Sequence, residues 1–333
     1  MISPHRLDGL LAVVVTVPFL LGAAAAPVST SRVVFSFTDP DVVEASGLAV
    51  VDGLFVTVND SGDSGRVFTV DPATGDTVGV TRWDGEPTDD EAVAPAGDGT
   101  VWVGDIGDNL ARRDEVVVRR VPVGRGERTV DPQAYRLVYP DGPRDAETLL
   151  CDPVTGRLYV ASKGVLGGTL YAAPETLGPG VNELTAVGPV IGIATDGAFF
   201  PDGRHVVLRD YGRAAVYSMP GLSPVGSAFA LPDQEQGEGI AVDASGRVFL
   251  SSEGSEAPVL RVGLPADVRA ALEPSTPASS SSSPSSSPPR TGSREDSELP
   301  EAPVRDRSAL PWLLTGGLGV AALLVLLRSM KRR

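Results

Sequence analysis

The sequence predicts an all-β fold made of five repeated units, and three observations support this. First, an acidic residue followed by two short apolar strands with a turn between them recurs along the chain. Second, the acidic residues that open the repeats are 47, 56, 49 and 42 residues apart, a period typical of β-propeller blades. Third, the turns place Asp or Pro early and Gly late, as type I turns and bulged hairpins require. The five opening residues are Glu44, Glu91, Glu147, Asp196 and Glu238.

The number of strands predicts how the ring closes. Repeats one to four each provide four predicted strands, whereas repeat five provides three and then stops. An additional strand at 32–37 precedes the first repeat and can complete the last blade, which leaves only short protected edges. We therefore predict a five-bladed β-propeller over residues 27–265, closed by its N-terminal strand. The long segment 109–145 leaves six blades as the alternative.

The two ends of the chain predict how the protein is placed in the cell. Residues 1–26 resemble a secretory signal peptide, with a retained anchor as the alternative. Residues 266–308 open with a short helical turn at 267–272 and continue as a Ser/Pro-rich disordered stalk. Residues 309–328 predict one transmembrane helix, and the basic tail 329–333 places the C-terminus in the cytoplasm. The propeller is then extracellular, and a sortase-processed cell-wall protein is the alternative.

Composition excludes several classes of function. The formal net charge of −15 argues against nucleic-acid binding, which needs clustered basic residues. The single cysteine, Cys151, excludes an intramolecular disulfide bond. The two histidines are His5, inside the predicted signal peptide, and His205, so a multi-histidine zinc site is excluded.

The acidic repeat heads predict a site at one mouth of the central channel. Adjacent strands of a blade are antiparallel, so the start of the first and the end of the second lie at the same face. An all-oxygen cluster there favours Ca²⁺ or Mg²⁺, whereas the alternative is that each head caps its own blade by accepting backbone N–H bonds. Lys163 and Arg209 are candidate anion contacts at the same mouth. The candidate metal ligands are Glu44, Asn59, Asp60, Glu91, Glu147, Asp196 and Glu238.

Five motifs carry a resemblance to known families. They resemble secreted bacterial β-propeller proteins of largely unassigned activity, and they are EASGLA at 44–49, VNDSGD at 58–63, DAETLL at 145–150, TDGAFFPDG at 195–203 and QGEGIAV at 236–242. They are also similar to the SdiA-regulated and phytase-like esterase propeller families and, more distantly, to calcium-dependent apyrases. The resemblance implies a Ca²⁺ ion in the channel, held by Glu44, Glu147 and Glu238.

Two functional hypotheses follow. The first is a membrane-tethered binding or scaffolding module that uses the acidic channel mouth, with Ca²⁺ as its candidate ion. Its partner would be an extracellular protein, a glycan or a small molecule. The alternative is a metal-dependent hydrolase of phosphoesters or lactones, with Glu and Asp as ligands and general base.

Overall fold

A computed structural model describes residues 30–60 and 62–273. The predicted signal peptide, the stalk beyond residue 273, the transmembrane helix and the basic tail lie outside the described residues. No helix within the described ranges is long and apolar enough to cross a membrane.

The described chain consists of 22 strands and one short helix. The strands at 146–151, 196–199 and 237–242 are buried along their whole length, as expected for sheets that are packed on both faces. In chain order the elements are β1 (Ser31–Ser36), β2 (Ala45–Val51), β3 (Leu54–Asn59), β4 (Arg66–Val70), β5 (Thr77–Trp83), β6 (Asp90–Gly97), β7 (Thr100–Asp105), β8 (Val116–Pro122), β9 (Gly126–Val130), β10 (Ala134–Val138), β11 (Ala146–Cys151), β12 (Leu158–Ser162), β13 (Gly168–Ala172), β14 (Val181–Glu183), β15 (Thr185–Val190), β16 (Asp196–Phe199), β17 (His205–Arg209), β18 (Arg213–Ser218), β19 (Ser223–Ala230), β20 (Gly237–Val242), β21 (Val248–Ser252), β22 (Pro258–Val262) and α1 (Ala266–Leu272).

The strands form five sheets, which are the five blades of the predicted propeller. From the channel outwards, blade one is β2-β3-β4-β5-β9 and blade two is β6-β7-β8-β10-β14. Blade three is β11-β12-β13-β15 and blade four is β16-β17-β18-β19. Blade five is β20-β21-β22-β1. The first strand of each repeat is thus the inner strand that lines the channel.

The ring closes as the strand count predicts. Strand β1 pairs antiparallel with β22, with Ser31 opposite Val262 and Ser36 opposite Pro258. The amide of Gly263 donates to the carbonyl of Thr30 at 2.8 Å, so the pairing of the two strands continues one residue beyond Ser31 and Val262. The prediction that the N-terminal strand fills the last blade is confirmed.

Two strands were not predicted, and they settle the number of blades. Strand β9 pairs parallel with β5 of blade one, and β14 pairs parallel with β10 of blade two. The segment 109–145 is therefore used by β8, β9 and β10, so the six-bladed alternative is wrong. Both extra strands are short, largely polar and mostly exposed, which is why their sequences lack the apolar pattern of the inner strands.

The hydrophobic core is divided among the blade interfaces. Five clusters of buried apolar residues each lie between two neighbouring blades. Blades five and one are joined by edge-to-face contacts of Phe55 with Phe35 and Phe249, with ring centroids 5.0 and 5.1 Å apart. The predicted helical turn is present as α1, whose buried Val268 packs into the cluster between blades four and five.

Candidate functional site

The strand register brings the start of every inner strand and the end of its neighbour to one face of the ring. This is the arrangement that the sequence predicts, and it defines the acidic mouth, which comprises Asp60, Asp89, Glu91, Asp145, Glu147, Glu238 and Glu253. The five register pairs at this face are Ala45 with Asn59, Asp90 with Asp105, Ala146 with Ser162, Asp196 with Arg209, and Gly237 with Ser252.

Bulges at the start of the inner strands position the three glutamates of the mouth. The pairing register shifts between Asp90 and Ala92, between Ala146 and Thr148, and between Gly237 and Ile240. Glu91, Glu147 and Glu238 lie inside these irregularities, and a bulge characteristically redirects a side chain beside a functional site. Blade four has no register shift between β16 and β17 and presents Gly197 at the equivalent position. The carboxylates of the mouth therefore come from blades one, two, three and five.

Three carboxylates from blades one and two form the tightest group. Ligand atoms of Asp60, Asp89 and Glu91 lie within 4.8 Å of one another, so this group could hold a metal ion. Burial and the charge of Asp60 raise the pKa of Asp89 to about 6. Burial, together with the charges of Glu147, Asp60 and Asp89, raises the pKa of Glu91 to about 10. Such shifts are expected where buried like charges crowd together.

Glu147 of blade three pairs with a lysine and retains an unused oxygen. The Lys163 ammonium donates to Glu147 Oε1 and, at 3.1 Å, to the hydroxyl of Tyr211 in blade four. Glu147 Oε2 is buried and has no hydrogen-bond partner among the described residues. Burial raises the pKa of Glu147 to about 8 against the opposing effect of Lys163. The pair therefore combines a fixed cation with a buried carboxyl group whose pKa is raised above its ordinary value.

Glu238 of blade five completes the ring of buried glutamates. Its side chain is buried, and burial raises its pKa to about 7 while Lys163 opposes the shift. Glu253, one residue beyond β21, adds like charge beside it. The acidic mouth thus carries several carboxyl groups whose charge changes between pH 6 and 10.

Glu44 and Asn59 lie outside the group formed by Asp60, Asp89 and Glu91, which corrects the predicted alignment of the repeats. Burial and the charges of Asp60 and Glu44 nevertheless raise the pKa of Glu253 at the mouth. Glu44 precedes the register pair of blade one and is exposed, as Asp89 precedes the pair of blade two. Ser46 occupies the position of Glu91, and its hydroxyl donates to the Glu91 carboxylate at 3.1 Å. Asn59 Oδ1 accepts from the amides of Val43 and Glu44, so it anchors the chain entering β2.

Asp196 is a structural residue in the channel. Its carboxylate is fully buried and accepts from the amides of Leu48, Ile240 and Gly197 at 3.1, 2.8 and 2.7 Å. Burial raises the pKa of this carboxyl well above its ordinary value. Because its oxygens are used by backbone donors of blades one, four and five, the capping alternative describes Asp196 better than the predicted metal ligation does.

Arg209 is also used inside the protein. Its guanidinium is fully buried and donates to Gln234 Oε1 at 3.0 Å and to the carbonyl of Gly239 at 3.1 Å. Burial lowers the pKa of Arg209 to about 10. Because its donors are bound to internal acceptors, the Arg209 guanidinium is not available to an anion at the mouth. Lys163, by contrast, lies at the mouth as predicted.

Three residues of the site, Asp89, Asp145 and Tyr211, were missed by the sequence analysis. Asp89 follows Thr88 in the run TDDEAV, where the repeat head was assigned to Glu91 alone. Tyr211 lies just after the end of β17 and was not considered as a polar contact. The adjacent acidic residues were the available signal for Asp89. Nothing in the sequence indicated that Tyr211 would reach Lys163 of the neighbouring blade.

Comparison with known proteins gives only distant structural likenesses. Neither a protein-family profile nor a curated protein matches the chain. The PQQ-bound aldose sugar dehydrogenase of Streptomyces coelicolor is 14% identical, with 72% of this chain and 99% of that chain covered at a TM-score of 0.42. A gluconolactonase of Xanthomonas campestris is 13% identical, with 71% and 90% covered at a TM-score of 0.44. At such scores these likenesses assign neither activity nor ligand, and the fold rests on the strand pairing of this chain.

Proposed function

We propose that this protein binds a hard divalent cation through Asp60, Asp89 and Glu91 and uses the loaded acidic mouth to bind an oxygen-rich ligand. The observation that carries the proposal is the approach of these three carboxylates to within 4.8 Å of one another. Carboxylate oxygens are the ligands that Ca²⁺ and Mg²⁺ prefer. Ca²⁺ is the first candidate because it tolerates an irregular ligand geometry better than Mg²⁺ does.

The loops around the mouth support a binding role. Leu110, Val165 and Leu166 are exposed large apolar residues, and they lie on loops that follow the second strands of blades two and three. Tyr211 follows the second strand of blade four and is also exposed. Apolar groups beside a charged mouth favour a ligand with an apolar portion next to its oxygen-rich one.

A second candidate function is cation-assisted hydrolysis, and the pair of Glu147 and Lys163 favours it. A carboxyl group with a pKa of about 8 can act as a general base near neutral pH, and Lys163 can stabilise a developing oxyanion. The bound cation would polarise the scissile carbonyl. Lys163 is the predicted basic contact that remains at the mouth, which favours uncharged esters and lactones over phosphoesters.

The proposal extends to location and family. The signal-like segment 1–26, the Ser/Pro-rich stalk, the apolar run 309–328 and the basic tail support an extracellular propeller on a single membrane helix. The motifs at 44–49, 58–63 and 236–242 support a relation to the SdiA-regulated and phytase-like esterase propellers.

Calorimetric titration of the full chain with Ca²⁺ and with Mg²⁺ tests the cation site. We expect saturable binding that Asp89→Asn weakens by at least about tenfold, which corresponds to about 1.4 kcal/mol. Glu44→Gln is the matched control, because Glu44 is an exposed acidic residue of the same face outside the group. Absence of binding, or equal losses in both variants, would exclude this cation site.

A panel of lactones and phosphoesters tests the hydrolase candidate. We expect lactone turnover that EGTA abolishes and that Lys163→Gln lowers without changing the affinity for Ca²⁺. Cation binding without any turnover would leave the binding function and exclude the catalytic one.

A further inference from the structure

The half of the channel opposite the acidic mouth contains an apolar cavity. Its volume is about 250 Å³, and the inner strands of all five blades line it. We call it the channel cavity, and Leu48, Ala94, Leu149, Ala198 and Ala241 represent the five blades in its wall. Pro153 and Pro201, from turns between inner and second strands, place its opening at the face away from the acidic mouth.

Asp196 separates the channel cavity from the acidic mouth. Its carboxylate extends from blade four to the amides of Leu48 in blade one and Ile240 in blade five. Leu48 and Gly197 themselves line the cavity, so this hydrogen-bonded link lies at its inner end. A molecule in the cavity would therefore enter from the opposite face and would not contact the carboxylates of the mouth.

The lining of the channel cavity favours an uncharged occupant. Asp243 is the acidic residue among the lining residues, and its charge is paired. Its carboxylate accepts from the amide of Ser245 at 2.9 Å and from Arg247 Nε at 2.6 Å. Burial raises the pKa of the Cys151 thiol to about 11, so the thiol is neutral at pH 7. The wall thus offers apolar surface and no uncompensated charge, which is the composition of sites for small apolar ligands.

The size of the channel cavity sets the size of the occupant. Protein interiors are close-packed, and voids larger than a water molecule are few. An apolar cavity of about 150 Å³ is sufficient to bind benzene in another protein. Ala94, Ala198 and Ala241 are among the lining residues of the channel cavity, and their short side chains leave room for an occupant.

We propose that the channel cavity is a binding site for one small uncharged apolar molecule, such as a fused-ring aromatic compound. This site is independent of the acidic mouth and of the cation proposed there. Its occupant would contact the inner strands of all five blades at once and would stabilise the closed ring.

Binding of 1-aminoanthracene to the full chain tests the proposal. This neutral fused-ring probe becomes fluorescent in an apolar environment, and we expect one saturable site with a Kd on the order of 10 μM. Ala198→Leu and Ala94→Leu fill the cavity and should each weaken the saturable binding by at least about tenfold. Ala73→Leu makes the same change on an exposed turn outside the cavity and should leave binding unchanged.

A measurement on the wild-type chain keeps the test independent of how the filled variants fold. Cys151 is the single cysteine of the chain and lines the cavity, so mass spectrometry reports its alkylation without ambiguity. Saturating 1-aminoanthracene should slow modification of Cys151 by N-ethylmaleimide several-fold, with or without EGTA. An unchanged alkylation rate, the absence of saturable binding, or equal binding in the wild-type chain and folded filled variants would overturn the proposal. Loss of the cation site alone would leave it intact.

Discussion

Glu91→Gln should have opposite effects on stability with and without a bound cation. Glu91 is 4% exposed, and its pKa is raised to about 10 by burial and by the charges of Glu147, Asp60 and Asp89. Glutamine keeps the shape of the side chain and an oxygen for the hydroxyl of Ser46, but it cannot ionise. The substitution therefore removes the crowded carboxyl group without creating a cavity.

The expected magnitude follows from proton linkage. The pKa of Glu91 in the folded state lies above its ordinary value of 4.5, so its contribution to stability is complete below pH 4.5 and is lost as the pH rises towards 10. At pH 7 the unfolded chain is ionised while the folded protein stays protonated, which costs about 3 kcal/mol at 1.36 kcal/mol per pH unit. The cation-free variant should gain up to that amount, or roughly 5–10 °C in Tm for a domain of this size.

Calorimetric unfolding of the full chain in excess EGTA and in excess Ca²⁺ measures both effects. We expect Glu91→Gln to melt higher than the wild type in EGTA and to respond less to Ca²⁺, because it lacks one ligand. Glu44→Gln, on the same face but outside the group of Asp60, Asp89 and Glu91, should change both values much less. A lower Tm of Glu91→Gln in EGTA would mean that this carboxylate caps its blade in the ionised form. An undiminished response to Ca²⁺ would place the cation elsewhere.

Three further predictions concern the channel and the ring. The pKa of Glu147 is raised to about 8 and that of Glu238 to about 7, so these groups also take up protons on folding, and the cation-free protein should be most stable near pH 5 and lose stability towards pH 9. Urea unfolding across this pH range measures the free energy of unfolding, and a stability that rises with pH would contradict the prediction. Asp196→Asn replaces one acceptor oxygen with a donor and should cost about 1–3 kcal/mol in the same assay, whereas a change near zero would mean that the link to Leu48 and Ile240 is not needed. Deletion of residues 30–37 exposes the edge of β22 and should abolish the single cooperative transition in calorimetry; an unchanged transition would show that closure by β1 is dispensable.

The fold could be predicted because its determinants are local. Apolar runs of strand length, turns with Asp or Pro before Gly, and a regular period are all visible in the sequence. The closing role of β1 followed from counting strands, since an unpaired strand and an incomplete blade require each other. Strands β9 and β14 were not predictable in this way, because their polar residues form strands only where the edge of the preceding blade is available.

The site was predicted as a face of the ring but not as a set of ligands. Aligning repeats by their acidic residues equated Glu44 with Glu91, whereas the register equates Glu44 with Asp89. The glutamates of blades two, three and five lie at irregularities of the strand register, and such irregularities leave no clear mark in a single sequence. The burial of Arg209 likewise depends on acceptors from another blade, including Gly239 and Ser251, which lie far along the chain.

Closure of blade five by the first strand makes the order of synthesis matter for folding. Partners such as Val33 and Leu260 are separated by most of the propeller, and closing a chain loop of about 230 residues costs about 5 kcal/mol of entropy. Because domains emerge from the ribosome N-terminus first, β1 waits until almost the whole propeller has been made. A chain that stops before β22 leaves β1 without its partner and Phe35 without its packed surroundings. The ring thus distinguishes complete chains from incomplete ones, and truncated products would present an unpaired strand and apolar surface to proteases and chaperones.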